Sequence, residues 1–330
     1  MKGVVLELDK IRVKVEYDDN SILQKTLKEF GDYIKPINYN SDEDLFTISF
    51  SQMKSLLKDK GENIFYDKEP KDKHYNKVSI LSKGVAVEYD PRNDFQMFSS
   101  YIILNSMSKL FENSGYFVLH SSCVEKNNKA VAFSGKKGAG KTQTLINLLQ
   151  SGYHMVTNDK LALRLDNDGK IICVGFPTSV GIRMTHSFVD DPKNADIVKT
   201  LKQKDREKLK PADVSNLADE SKKFFIHPRV ITNGYKTDIT PVSILTQIVN
   251  PTFVPGKEKF ESKKTDLRDV VDSQREPAVS IEKPYLNNIS YVPFLMDTSK
   301  IVNAMVSLSS NISVLQGPGQ TENLIDVMEK

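Results

Sequence analysis

One stretch of the sequence has the residue types and spacing for phosphate chemistry. Gly135-Lys136-Lys137-Gly138-Ala139-Gly140-Lys141-Thr142 is a complete GxxxxGK[ST] loop. Glycines there let backbone N–H groups turn inward, where a Cβ would obstruct them, and the amides form a concave cradle for phosphate oxygens. The helix that follows adds the positive end of its dipole. Lys141 is expected to reach the β- and γ-phosphates as a point charge, and Thr142 to place its hydroxyl on Mg²⁺. We take residues 135–142, with Gln143 in the first helical turn, as the nucleotide-binding set. Lys136 and Lys137 enter it as added phosphate contacts, against the plainer reading of solvated loop lysines.

A cradle of this kind still needs an acidic partner for the metal, because Mg²⁺ is held through one or two carboxylates plus substrate phosphates. Asn158-Asp159 follows the loop and its helix. Asp159 is the expected second metal contact beside Thr142. His120, in the segment Leu119-His120-Ser121-Ser122, is a candidate neighbour of the γ-phosphate. Arg183 and Arg229 are candidates for charge stabilisation at the transferring group. Asp238, after an Asn233-Gly234 turn, reads as a loop carboxylate. No Ser-His-Asp triad, zinc spacing or dinucleotide fingerprint is supported.

The elements that must position these residues follow from the local pattern. Ala130–Ser134 (AVAFS) reads as a strand leading into the loop. KTQTLINLLQSG reads as the amphipathic helix leaving it, stopped at Gly152. Gly115–Glu125 is a strand carrying His120, followed by a turn at Asn127-Asn128. Tyr153–Thr157 is a short strand ending at Asn158-Asp159. LALRL-DNDG-KIICVG is a hairpin with explicit turn residues. Residues 94–112 read as an amphipathic helix, and Val242–Asn250 as a buried strand.

Residues 1–92 read as a small strand-rich domain, with strands over 2–17, Leu45–Phe50 and a hairpin turning at Lys83-Gly84. Residues 93–330 then form the phosphate-loop domain. It carries charged segments near 192–223, read as a helical excursion or a surface insertion, and near 256–278. The tail over Ser299–Ser309 and Thr321–Lys330 looks helical. With 39% hydrophobic and 27% charged residues the chain is close to an average globular protein, and disorder of the whole chain is not expected. A net charge of +3 without a basic, aromatic-interleaved stripe argues against nucleic acid. The N-terminus alternates apolar and charged residues, unlike a signal peptide, and no apolar run reaches membrane-spanning length. Cys123 and Cys173 lie outside metal or redox spacing. We therefore expect a cytoplasmic protein with reduced thiols and no membrane partner.

Taken together, His120, Gly135, Gly140-Lys141-Thr142, Gly152 and Asn158-Asp159 resemble the catalytic domain of HPr kinase/phosphorylase and its relatives. Residues 120–159 match that family's pattern without a gap, and the resemblance covers about residues 115–175. It implies an α/β fold shared with phosphoenolpyruvate carboxykinase, with the phosphate loop on a mixed, largely antiparallel sheet. It further implies ATP (with GTP also open) and Mg²⁺, γ-phosphoryl transfer to a hydroxyl, often a protein or peptide serine, and a homo-oligomer. Some relatives modify precursor peptides in natural-product clusters. His120 would lie near the transferred phosphoryl group. One departure matters: the family's acidic pair is Asp-Asp, its first member the base, and this chain has Asn158 there. An amide does not accept a proton at neutral pH. The base would then be Asp159, His120, the phosphate itself or a group outside the matched residues. Otherwise the chain is a nucleotide-gated binding or scaffold protein, or a plain NTPase.

Overall fold

The computed structural model describes residues 2–37, 45–53, 64–66, 76–90, 95–135, 139–206, 219–253, 262–263, 284–293, 300–308 and 312–316. The expected nucleotide contacts Lys136, Lys137 and Gly138 lie outside the described residues. So do 207–218, most of the charged segment 256–278, and the expected helix over 321–330. The chain divides into two units, Met1–Val118 with Glu276–Thr298, and Leu119–Arg275 with Ser299–Lys330.

The first unit is built on a seven-stranded mixed sheet. Its strands are β1 (Lys2–Leu8), β2 (Ile11–Tyr17), β3 (Lys35–Ile37), β4 (Phe46–Gln52), β5 (Ile64–Tyr66), β6 (Lys77–Leu81) and β7 (Gly84–Tyr89), in the spatial order β3-β1-β2-β4-β7-β6-β5. Period-two alternation decides its faces. Ile11, Val13, Val15 and Tyr17 of β2 are buried. Arg12 and Lys14 stand on the other face, paired with Glu7 at 3.6 Å and Glu16 at 2.7 Å. Helix α1 (Asn20–Phe30) is capped by Asp19, whose carboxylate accepts from the Ser21 N–H. Helix α2 (Phe95–Asn113) packs on α1 and β2, and its Ile102, Ile103, Met107, Leu110 and Phe111 are buried. The first compact unit, which runs to Val118, includes this helix. The helix completes the apolar face of the N-terminal sheet, which strand patterns alone do not reveal.

The second unit has an eight-stranded mixed sheet. It contains β8 (Phe117–Lys126), β9 (Lys129–Ser134), β10 (His154–Thr157), β11 (Lys160–Leu165), β12 (Ile171–Gly175), β15 (Val242–Phe253), β16 (Ser262–Lys263) and β17 (Ile312–Gln316). Its pairings close a circuit: β8 with β9, β9 with β15, β15 with β12, β12 with β11, and β11 with β8. The β9–β15 and β15–β17 pairs are parallel, whereas β8–β9, β11–β12 and β12–β15 are antiparallel. This is a mixed α/β arrangement, unlike a doubly wound parallel sheet. Asn127 and Asn128 take φ of 57° and 62°, the left-handed pair a two-residue hairpin requires. At the β11–β12 turn the Asp166 carboxylate accepts from the Asp168 and Lys170 N–H groups.

Helix α3 (Lys141–Gln150) buries Leu145, Ile146, Leu148 and Leu149 against Val124, Val131, Phe133, Met155 and Val249 of the sheet. A two-stranded sheet of β13 (Val180–Met184) and β14 (Asp219–Ile226) covers the same core with Val180, Ile182 and Ile226. Helices α4 (His186–Asp190), α5 (Ala195–Arg206) and α6 (Pro228–Tyr235) follow around it, and α7 (Ile301–Leu308) packs on β11, β12 and β15. The charged segment from residue 192 is thus no mere surface excursion. Ile197 and Val198 of α5 are buried in the core, because a helix can place two apolar residues inward while its other faces stay charged. Of the helix read over Ser299–Ser309, Ile301–Leu308 is helical.

Candidate functional site

The phosphate loop leaves the end of β9 and enters α3. Gly140, with φ 90° and ψ 10°, sits at the N-cap, a backbone conformation that side-chain-bearing residues rarely adopt. Its carbonyl accepts the first helical bond from Thr144 N–H at 2.9 Å. The amides ahead of Thr144 have no carbonyl partner within the helix, the general arrangement by which helix starts attract anions. The Lys141 ammonium folds back and donates to the Gly135 carbonyl, so the lysine lies along its own loop. Gln143 donates to Asn147 on the exposed side of α3, one turn away.

The segment joining β10 to β11 crosses this helix end. The β8–β10 register shifts between Met155 and Thr157, and the chain bends at Asn158-Asp159. Irregularities of this type re-aim side chains that a regular pleat would send to opposite faces. Here two consecutive residues serve one site. The Thr142 hydroxyl donates to the Asn158 side-chain oxygen at 3.3 Å. The Asp159 Oδ1 lies 3.4 Å from His120 Nδ1, with the two side chains 47% and 29% exposed. The backbone fixes the second contact, because the Asp159 carbonyl accepts from Ser121 N–H at 3.0 Å.

His120 and Ser122 alternate onto one side of β8. The buried Ser122 hydroxyl donates to the Lys141 carbonyl at 3.2 Å, which ties the strand carrying His120 to the first residue of α3. Sequence reasoning missed Ser122, although its position two residues after His120 was the available signal. It also missed Gly175. A Cβ there would stand 2.0 Å from the Val156 carbonyl oxygen, so β12 approaches the backbone just before Asn158 as only glycine allows.

The residues named from the sequence therefore divide. His120, Lys141, Thr142, Asn158 and Asp159 are linked by these contacts, with Asn158 rather than Asp159 against the Thr142 hydroxyl. Arg183 lies on β13, exposed and opposite Lys223 in the register. Among the described residues no hydrogen bond or ion pair joins it to His120, Thr142 or Asn158. Arg229 is exposed in the first turn of α6, where its N–H is held by the His227 ring. Asp238 borders β10, with its N–H on His154 Nδ1 at 3.0 Å and its carbonyl accepting from Met155.

Among the described residues no group of three or more His, Cys, Asp or Glu forms a metal cage. A hydroxyl, an amide oxygen and one nearby carboxylate do fit a hard cation that arrives with its own phosphate ligands, which is how Mg²⁺ is usually held.

No protein-family model matches the chain, and no curated protein matches it. Solved structures do align with it. One is the Hpr(Ser) kinase/phosphatase from Coxiella burnetii, which aligns over 45% of this chain and 77% of its own, with 11% identity and a TM-score of 0.25. Values this low do not establish a shared fold or activity. Among the described residues no helix is long and apolar enough to cross a membrane.

Proposed function

We propose that the second unit is a nucleotide-dependent phosphotransferase that moves the γ-phosphoryl group of ATP to an acceptor hydroxyl on a peptide, protein or small molecule. A serine of a precursor peptide is the first acceptor to test. The observation that carries this reading is the bond between Thr142 and Asn158 at the mouth of a complete phosphate loop. It joins the hydroxyl of the loop to the end of the neighbouring strand, where the motif's mechanism needs oxygen ligands.

In this reading the backbone N–H groups around Gly140 and the start of α3 hold the phosphates, and Lys141 swings from the Gly135 carbonyl to the β- and γ-oxygens. Thr142 and Asn158 would hold Mg²⁺, which when bound neutralises charge on the phosphate oxygens. Asp159 and His120 stand next to them on the acceptor side. Nucleotide titration of the wild type and Lys141→Ala by calorimetry tests the site. Equal affinity in the two proteins would sink the assignment. Acceptor-dependent transfer of label from γ-labelled ATP tests the activity.

Asn158 favours a second reading, a nucleotide-gated binding protein with little transfer. An amide in place of a carboxylate neither takes the acceptor's proton nor adds charge to the metal. Tight nucleotide binding without phosphate release or transfer would select it.

A further inference from the structure

Resting on the phosphotransferase reading of this site, we propose that His120 is itself a phosphoryl acceptor, forming a covalent phosphohistidine at Nε2. Three observations converge. His120 lies on the side of β8 whose next inward residue, Ser122, is bonded to Lys141 at the head of the loop helix. Its Nδ1 faces the Asp159 carboxylate at 3.4 Å, and the Asp159 carbonyl is pinned to Ser121 N–H. The residue against Thr142 is an amide, Asn158. A hydroxyl acceptor must lose its proton during attack, and Asn158 cannot take it. An imidazole nitrogen attacks with a lone pair and has no proton to shed there.

The step balances within the site. The Nε2 lone pair forms the N–P bond to the γ-phosphorus. The bond from that phosphorus to the β,γ-bridging oxygen breaks, and its electron pair leaves on ADP. The proton on Nδ1 stays on the ring, which becomes cationic facing the Asp159 carboxylate. A carboxylate facing Nδ1 favours the tautomer that carries the proton there and leaves Nε2 its lone pair. Asp159 is thus a positioning residue, and His120 the nucleophile.

The test uses the full chain with γ-labelled ATP and Mg²⁺ and no added acceptor, quenched in base and analysed by peptide mass spectrometry. The expected result is a covalent label that survives base, is lost in mild acid, and maps as one phosphoryl group on the peptide bearing His120. His120→Gln with an unchanged melting temperature should lose the label. Asp159→Asn should slow labelling at saturating ATP without raising the ATP concentration for half-maximal rate, a split that a general structural defect would not produce. An acid-stable label, a label on another residue, or ATP turnover with no covalent protein label overturns the proposal and leaves the phosphotransferase reading standing. ATP binding with no covalent label also overturns the proposal and leaves the phosphotransferase reading to its acceptor-dependent test, whereas failure to bind ATP removes both.

Discussion

The Thr142 hydroxyl donates to the Asn158 amide oxygen at 3.3 Å, and the next residue along the chain, Asp159, faces His120 instead. The bend after β10 thus separates two tasks that a pair of carboxylates would share. One side chain addresses the loop, and the other addresses the histidine.

Asn158→Asp places a full charge opposite Thr142. Hydrogen bonds to ionised groups are worth about 1.5–3 kcal/mol, against about 1 kcal/mol for neutral ones. The ratio of ADP affinity with Mg²⁺ to that in EDTA is expected to rise about tenfold, close to ~1.4 kcal/mol. Paired calorimetric titrations check it. If the variant also gains acceptor-dependent transfer, the missing base limits the rate, and general-base help of that kind is worth ~10²–10⁴.

Lys141→Ala removes the ammonium that now rests on Gly135. Loss of a charged contact to phosphate is expected to weaken ATP binding by about 1.5–3 kcal/mol, roughly tenfold to a hundredfold or more. The side chain is only half-buried at a helix start, so the thermal midpoint should barely move. A fluorescent-nucleotide titration beside a melting curve separates the two effects.

Gly175→Ala drives a Cβ into the Val156 carbonyl, with its oxygen 2.0 Å and its carbon 2.7 Å away. Backbone cannot yield as a side-chain tip can, so β12 and β10 must part. We expect a loss of stability of ~1–3 kcal/mol or more, as for overpacked interiors. ATP binding should weaken with it, because Val156 lies two residues before Asn158. Denaturant melts report the first effect and nucleotide titration the second.

Cys123 and Cys173 are both fully buried free thiols, on β8 and β12. Burial, reinforced by the neighbouring Cys173 thiol, raises the Cys123 thiol well above its ordinary range. Both thiols are closed off from solvent, so neither cysteine should react with an alkylating reagent at mildly alkaline pH while the chain is folded. Both should react on addition of denaturant. Rapid labelling of native protein would contradict the burial of these strands.

Much of the local structure was legible because its causes are local. Asn127-Asn128 tolerates left-handed backbone, and Asp166 binds its own turn amides. Gly140 opens α3, and the alternation in β2 follows its two environments. The place of helix α2 was not legible in the same way. Helix α2 is apolar enough to belong to either unit, and only its packing on α1 and β2 assigns it. Arg183 illustrates the same limit. Its type suits phosphoryl chemistry, yet it is an exposed residue of β13 opposite Lys223.

The sequence by itself determined the phosphate loop, because glycine at a left-handed position, a lysine and a hydroxyl in consecutive register depend on chain neighbours alone. It also determined that an amide precedes Asp159. Only the tertiary structure decided which of those two meets Thr142. That choice follows from a register shift against β8, a carbonyl bonded to Ser121 and a glycine strand pressing on Val156. These are long-range contacts whose partners lie 19 to 38 residues away, beyond the reach of any local pattern.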